Sequence, residues 1–256
     1  MNSDEVLAVF DRELRREAAP EGAGSVVERD GDVVRMVGPE HGWNGILWSG
    51  LGDAGADAAI AEQVRYFGAL GRPFEWKLYA HDRPADLDRR LLAAGFTPEP
   101  AETLMIAEAA GIAAEPDAVP AGVRLVPVTG QDGVDLLADV HDLAFDAVHE
   151  HLRKALPAQL AAGTVIAVVA MAGDTPISAA RMDLHPGTAF ASLWGGGTVP
   201  GWRGKGVYRA LVAYRARAAV ARGYRYLQVD ASDQSRPILE RLGFAPLTTT
   251  TPYVHP

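Results

Sequence analysis

Between Gly195 and Arg209 the chain reads GGGTVPGWRGKGVYR, with glycines and a lysine packed directly ahead of a helical stretch. Gly204 and Gly206 let the backbone turn tightly and approach an anion with no Cβ in the way. The free N–H groups of the following helix's first turn then point at the same spot, where the helix dipole is positive. The chemistry on offer is phosphate binding. Two familiar phosphate loops do not fit. The G-x-x-x-x-G-K-[ST] loop needs a glycine where Val199 stands and Ser or Thr where Gly206 stands. The dinucleotide fingerprint needs a glycine where Arg209 stands. Charge nevertheless favours a polyanion. No acidic residue lies between His185 and Val229, while Arg203, Lys205, Arg209, Arg215, Arg217, Arg222 and Arg225 all do, inside a chain of net charge −9. The plainer alternative is an exposed arginine-rich helix after a glycine loop.

The elements around this loop follow from periodicity and turn chemistry. VRLVPV (Val123–Val128) alternates like a strand, a helical stretch follows over Asp132–Phe145, and VIAVVAMA (Val165–Ala172) reads as a buried strand. Gly173-Asp174 and His185-Pro186-Gly187 supply turns on either side of ISAARMDL, and TAFASLWGG is the strand that feeds the loop. A helix over Val207–Arg222 carries Val207, Leu211, Tyr214, Ala218 and Ala221 on one stripe and stops at Gly223. YRYLQVDA, a short helix with Pro237 in its first turn, and a threonine-rich strand (Leu247–His255) complete the order β-α-α-β-β-β-α-β-α-β. That order predicts a mixed α/β fold, a mostly antiparallel sheet flanked by helices.

The first half repeats the later part of that order. ILWSG (Ile46–Gly50) echoes SLWGG (Ser192–Gly196), FEWKLYAHD (Phe74–Asp82) echoes YRYLQVDASD (Tyr224–Asp233), and LLAAGF (Leu91–Phe96) echoes LERLGF (Leu239–Phe244). The pairs keep their order, which marks a duplicated domain. Glu108–Gly122, rich in Ala, Gly and Pro, reads as the connection. The expected division is 1–112, a linker over 113–122, and 123–256.

Composition narrows the function classes. The chain is 48% apolar and 22% charged, ordinary for a globular protein. The net charge of −9 argues against nucleic acid or an anionic membrane as partner. With no cysteine, disulfides, thiolate metal sites and an acyl-cysteine intermediate are ruled out. The acidic start MNSDEVLAVF lacks the basic head of a secretory signal, and Val165–Ala172 is too short to span a bilayer, so a cytoplasmic location is expected.

TVPGWRGKGVYRAL resembles the acetyl-CoA signature of the GCN5-related N-acetyltransferases (GNAT), Gln/Arg-x-x-Gly-x-Gly/Ala. Arg203 and Gly206 match its first two fixed positions, Pro200 sits where that family often has proline, and Tyr208 departs from the final Gly/Ala. The resemblance covers Val123 to the end, and the first half more weakly. It implies that backbone N–H groups of Gly204, Lys205, Gly206, Val207, Tyr208 and Arg209 bind the coenzyme A pyrophosphate. It also implies that the strand ending at Gly196-Gly197-Thr198 pairs with the pantetheine arm, bare backbone letting the arm lie alongside. Ser232 replaces an asparagine usual in the family, and its hydroxyl is expected to bond the pantetheine. The first copy carries Asp53 and Asp57 where cations would be needed, so a structural or substrate-shaping role is expected for it.

The implied reaction is acetyl transfer from acetyl-CoA to a small-molecule amine by direct attack, with no metal. No catalytic residue is assigned. Leu239 occupies the position of the tyrosine that many relatives carry as acid; Tyr253 and Tyr208 are the substitutes on offer, and each reads rather as a packing residue. Asp183 and His185 share a strand parity, but His185 beside Pro186-Gly187 reads as an exposed turn. His141, His149, Glu150 and His151 read as a solvated helix face, with a water-relayed base among them as the lesser alternative, and HEHLR breaks the H-E-x-x-H zinc pattern at Arg153. The alternatives left open are a non-catalytic acetyl-CoA sensor or scaffold, a longer acyl group, and a hydroxyl acceptor. A homodimer is also left open.

Overall fold

The computed structural model describes residues 1–256 except 23, 41, 116–118, 147 and 149, and of residue 151 the backbone alone. Helix α1 (Ser3–Phe10) starts at Asn2, whose side chain accepts from the Asp4 N–H, and continues into a π-helical turn over Asp11–Arg16. The hairpin β1 (Val26–Asp30) and β2 (Val33–Val37) turns at Gly31 with φ +57°. It is followed by β3 (Gly45–Ser49), α2 (Ala56–Leu70), β4 (Phe74–Tyr79), α3 (Leu87–Ala93), β5 (Thr97–Pro98) and β6 (Glu102–Glu108). The stretch expected to be a bare connection carries a short helix, α4 (Ala109–Ala113), because Ala109 and Ile112 are apolar enough to be buried. Positions 116–118 of the expected linker lie outside the described residues.

The second half follows the expected order: β7 (Val123–Pro127), α5 (Gln131–Phe145), α6 (Glu150–Ala161), β8 (Val165–Ala172), β9 (Thr175–Leu184), β10 (Phe190–Thr198), α7 (Val207–Val220), β11 (Tyr226–Ala231), α8 (Arg236–Arg241) and β12 (Ala245–His255).

Contacts divide the chain into two compact units. One comprises Met1–Met105, Asp230–Leu239 and Ala245–Pro256, the other Ile106–Val229 and Glu240–Phe244. The sequence divides at 113–122 and leaves the tail with the second half, whereas β12 is counted with the first unit. There it pairs antiparallel with β4 from Thr250 opposite Tyr79 to His255 opposite Phe74. Its Tyr253 joins a core of Ile46, Phe67, Phe74, Trp76, Leu91 and Phe96.

Each unit is a mostly antiparallel sheet with helices on it. In the first, β1-β2-β3-β4-β12 are neighbours in that order. In the second the order is β11-β10-β9-β8-β7. Alternation splits the second unit's core in two. Val165, Ala167, Val169 and Ala179 pack with Val134, Leu137 and Val140 of α5 and Leu152 and Leu156 of α6. Val168, Ala170 and Ala180 face the other way, with Val207 and Leu211 of α7. Both units share one irregularity. In each a parallel pair of strands, β3 with β4 and β10 with β11, is joined over only two and three residues before the pairing stops.

Candidate functional site

In the second unit that irregularity lies next to the glycine loop. Strand β10 pairs with β11 at Phe190–Tyr226, Ala191–Leu227 and Ser192–Gln228, and then leaves it. On its other edge β10 bulges against β9 between Trp194 and Gly197. The backbone of Leu193–Thr198 is thus freed from β11, on the strand that leads into the loop.

The three glycines of this segment are fixed by packing within the chain. A Cβ on Gly195 would lie 2.4 Å from the His141 ring, one on Gly196 2.5 Å from the Tyr208 ring, and one on Gly197 2.9 Å from Ala144 and Phe145. Bare backbone for a ligand is therefore not their only reason. Gly196→Ala is expected to destabilise the protein by roughly 1–3 kcal/mol through overpacking. Tyr208→Ala in the same chain should recover part of that loss, so a double-mutant cycle by urea unfolding should show favourable coupling; strict additivity would contradict the contact.

The loop itself is open. Gly204 and Gly206 are left-handed, with φ +75° and +83°, and a Cβ on Gly204 would meet nothing within 4 Å. The first intrahelical bond of α7 runs from the Ala210 N–H to the Gly206 carbonyl, which leaves the N–H groups of Val207, Tyr208 and Arg209 over. These backbone donors and the open glycines fit a phosphate group.

Five of the seven cations of this segment make separate contacts. Arg203 is a strap: its Nε donates to the Thr198 carbonyl at 3.0 Å and its Nη2 to the Ala144 carbonyl at 2.9 Å, tying β10 to α5. Lys205 lies 4.8 Å over the Trp202 ring. Arg222 donates to the Ala218 carbonyl, and Arg225 lies over the Tyr226 ring. Arg215 departs furthest from the exposed face the sequence suggests. It is 1% exposed and donates to the carbonyls of Leu211, Arg181 and, at 3.5 Å, Trp194. Arg181 and Trp194 are register partners at the edge of the bulge, so a buried cation holds the carbonyls there. Burial pushes the Arg215 guanidinium down to about 10, and Tyr208 beside it works the other way.

Other expected site residues scatter. Val207 is buried in the core, Tyr208 covers Gly196, and Tyr253 belongs to the first unit's core. Ser232 is also counted with the first unit, its hydroxyl 3.3 Å from that of Ser235 ahead of α8. His141, read as part of a solvated face, is buried and donates Nε2–H to the Gly195 carbonyl at 2.5 Å. Its position, seven residues after the buried Val134, is the helical spacing that signals this. His149 lies outside the described residues, as does the side chain of His151, and Glu150 is exposed.

His185 also departs from its exposed reading. Its Nε2 is 2.7 Å from the Ser192 hydroxyl, and burial holds the imidazole below its ordinary value while Asp183 pulls it up. Asp183 pairs with Arg181 at 3.3 Å.

The first unit has the parting strands, but no left-handed glycine pair opens its helix α2. Neither Gly52 nor Gly55 has a positive φ, and Asp57 at the start of α2 is paired with Arg90. Where β3 leaves β4 after Ile46–Trp76, a side chain fills the gap. Arg15, 3% exposed, donates Nε–H to the Leu47 carbonyl, both Nη2 bonds to Asp82, and Nη1 to Asp11. It stacks 4.0 Å from the Tyr79 ring, and Asp82 in turn accepts from the Tyr79 N–H. A parallel bridge between Gly50 and Arg83 closes the far end. The same unit holds an ion pair of Lys77 with the buried Asp230, and beside it Glu102, pushed up to about 7 by burial and by Asp230. None of these partners was legible from spacing.

Residues 135–244 match the acetyltransferase (GNAT) family model. Over the whole chain the structure is similar to a GCN5-related N-acetyltransferase from Kribbella flavida, with 20% identity, TM-score 0.72, and 100% of this chain and 96% of that one covered. It is also similar to a tandem GNAT protein from the clavulanic acid biosynthesis pathway, with 14% identity, TM-score 0.65, and coverage of 100% and 87%. No curated protein matches the sequence. That family match, over residues 135–244, supports an acyltransferase. The fold of the whole is the tandem one. Among the described residues no helix is long and apolar enough to cross a membrane, and no cluster of His, Cys, Asp or Glu is grouped to hold a metal.

Proposed function

We propose that the protein transfers an acetyl group from acetyl-CoA to the amine of a small molecule, with one donor site, in the second unit. The observation that carries the reading is the left-handed pair Gly204 and Gly206 opening α7 beside a strand that has left its parallel neighbour. Amides of Gly204–Arg209 hold the pyrophosphate, and Lys205 and Arg209 add charge. The freed backbone of Gly196–Thr198 receives the pantetheine arm and polarises the thioester carbonyl. Arg203 acts through the strap to Thr198 and Ala144, and Tyr208 by packing on Gly196. With no cysteine in the chain, the amine attacks the thioester directly.

A second reading, a non-catalytic acetyl-CoA sensor, is favoured by Leu239 at the family's tyrosine position, where it is fully buried. Release of coenzyme A across a panel of amines, read with a thiol reagent, separates the two. The transfer reading expects release with at least one amine class. Stabilisation by acetyl-CoA with no release from any amine would leave the sensor.

A further inference from the structure

The sequence offers no acid on β10, yet the strand carries a polar face. Ser192 and Trp194 are register partners of Asp183 and Arg181 on β9, and these in turn of Val165 and Ala167 on β8, which face α5 and α6. This face is therefore opposite the one that packs on α7. His185 continues the alternation of Arg181 and Asp183 and bends back to Ser192. Ser192 is the last residue of β10 that pairs with β11, opposite Gln228. The imidazole is thus anchored where the strands part, and Trp194 follows about 7 Å further along β10.

We propose that His185 is the proton acceptor for the incoming amine, with Ser192 as the positioning residue that fixes its ring. The inference rests on the acetyl-transfer reading. The acceptor's ammonium gives one proton to His185. The neutral nitrogen then forms a bond to the thioester carbonyl carbon as the C–S bond breaks. The second N–H proton goes to the departing sulfur, and His185 releases its proton to solvent.

The other titratable groups on the face are less suited. Arg181 is a cation, Asp183 is ion-paired to it, and His141 is buried, with its ring held on the Gly195 carbonyl. Gln228 on β11 and Val165 on β8 are uncharged. From the helices on this face, Asp139 and Asp142 of α5 are paired with Arg153 of α6. A neutral imidazole at pH 7 is what this surrounding favours, since burial lowers His185 from the usual 6.5.

The test has two arms. First, the ring of His185 is titrated by NMR in the free protein, its signal assigned by loss in His185→Gln or by its shift in Ser192→Ala. The midpoint should fall below 6.5 and fall further in Asp183→Asn. A midpoint above 6.5 overturns the assignment. Second, kcat/KM is followed against pH with the amine that the panel selects. The wild type should lose activity as pH falls through the His185 midpoint. His185→Gln should lose about 10²–10⁴-fold and this acidic limb with it, while acetyl-CoA still raises its melting temperature. Ser192→Ala should keep the limb but move its midpoint. A His185→Gln enzyme that keeps its rate and its limb overturns the base alone. A wild type that binds acetyl-CoA and acetylates no amine overturns the transfer reading and the base together.

Discussion

Gly206→Val is expected to abolish the thermal stabilisation that acetyl-CoA gives the protein while leaving it folded. Gly206 is left-handed, at φ +83°, and an added Cβ would have only the Pro120 ring near it, at 3.9 Å. The change therefore strains the backbone more than the packing. Left-handed geometry costs an L-residue roughly 1–2 kcal/mol, within the usual margin of about 5–15 kcal/mol. Relief comes by rotating the residue out of that geometry, which turns the loop amides away from the phosphate position. At a hundredfold excess over Kd, ligand binding adds about 2.7 kcal/mol to wild-type stability, and the variant should show almost none of it. The control is Gly55→Val ahead of α2. Gly55 has φ −103° and open space around it, so cofactor binding should be unchanged. Differential scanning fluorimetry with and without acetyl-CoA reads both. Equal shifts in wild type and Gly206→Val would remove the loop from the site.

Arg15→Ala should be the most destabilising single change, by roughly 3–5 kcal/mol in urea unfolding. Its side chain is 3% exposed and that of Asp82 4%, so truncation leaves a carboxylate buried without its counter-charge and empties the gap between β3 and β4. Arg15→Met with Asp82→Asn removes both charges and should recover a large part of the loss. The affinity for acetyl-CoA should stay at the wild-type value once the protein is folded, because the filled gap belongs to the unit without the loop. Loss of affinity in a folded Arg15 variant would mean that the first unit contributes to the donor site.

The same pair of changes marks what the sequence discloses. Strand alternation in VIAVVAMA and ISAARMDL, and the glycines and cations ahead of α7, are local signals. They carried the element order, the mixed sheet and the loop. Arg215 was lost among the exposed arginines because composition cannot tell a cation on a wet face from one that holds strand carbonyls. His185 looked like a turn because Pro186-Gly187 follows it, although its parity with Asp183 pointed to a shared face. Arg15 meets Leu47 and Asp82 through contacts that no spacing rule reports. The tail strand has the composition of any edge strand, and only its pairing with β4 assigns it to the first unit.

Titration calorimetry of the intact chain with acetyl-CoA bears most directly on the claim of a single donor site. The account predicts one acetyl-CoA per chain in the wild type and in Gly55→Val, and no heat of binding in Gly206→Val. Two per chain, or binding that survives in Gly206→Val, would contradict it.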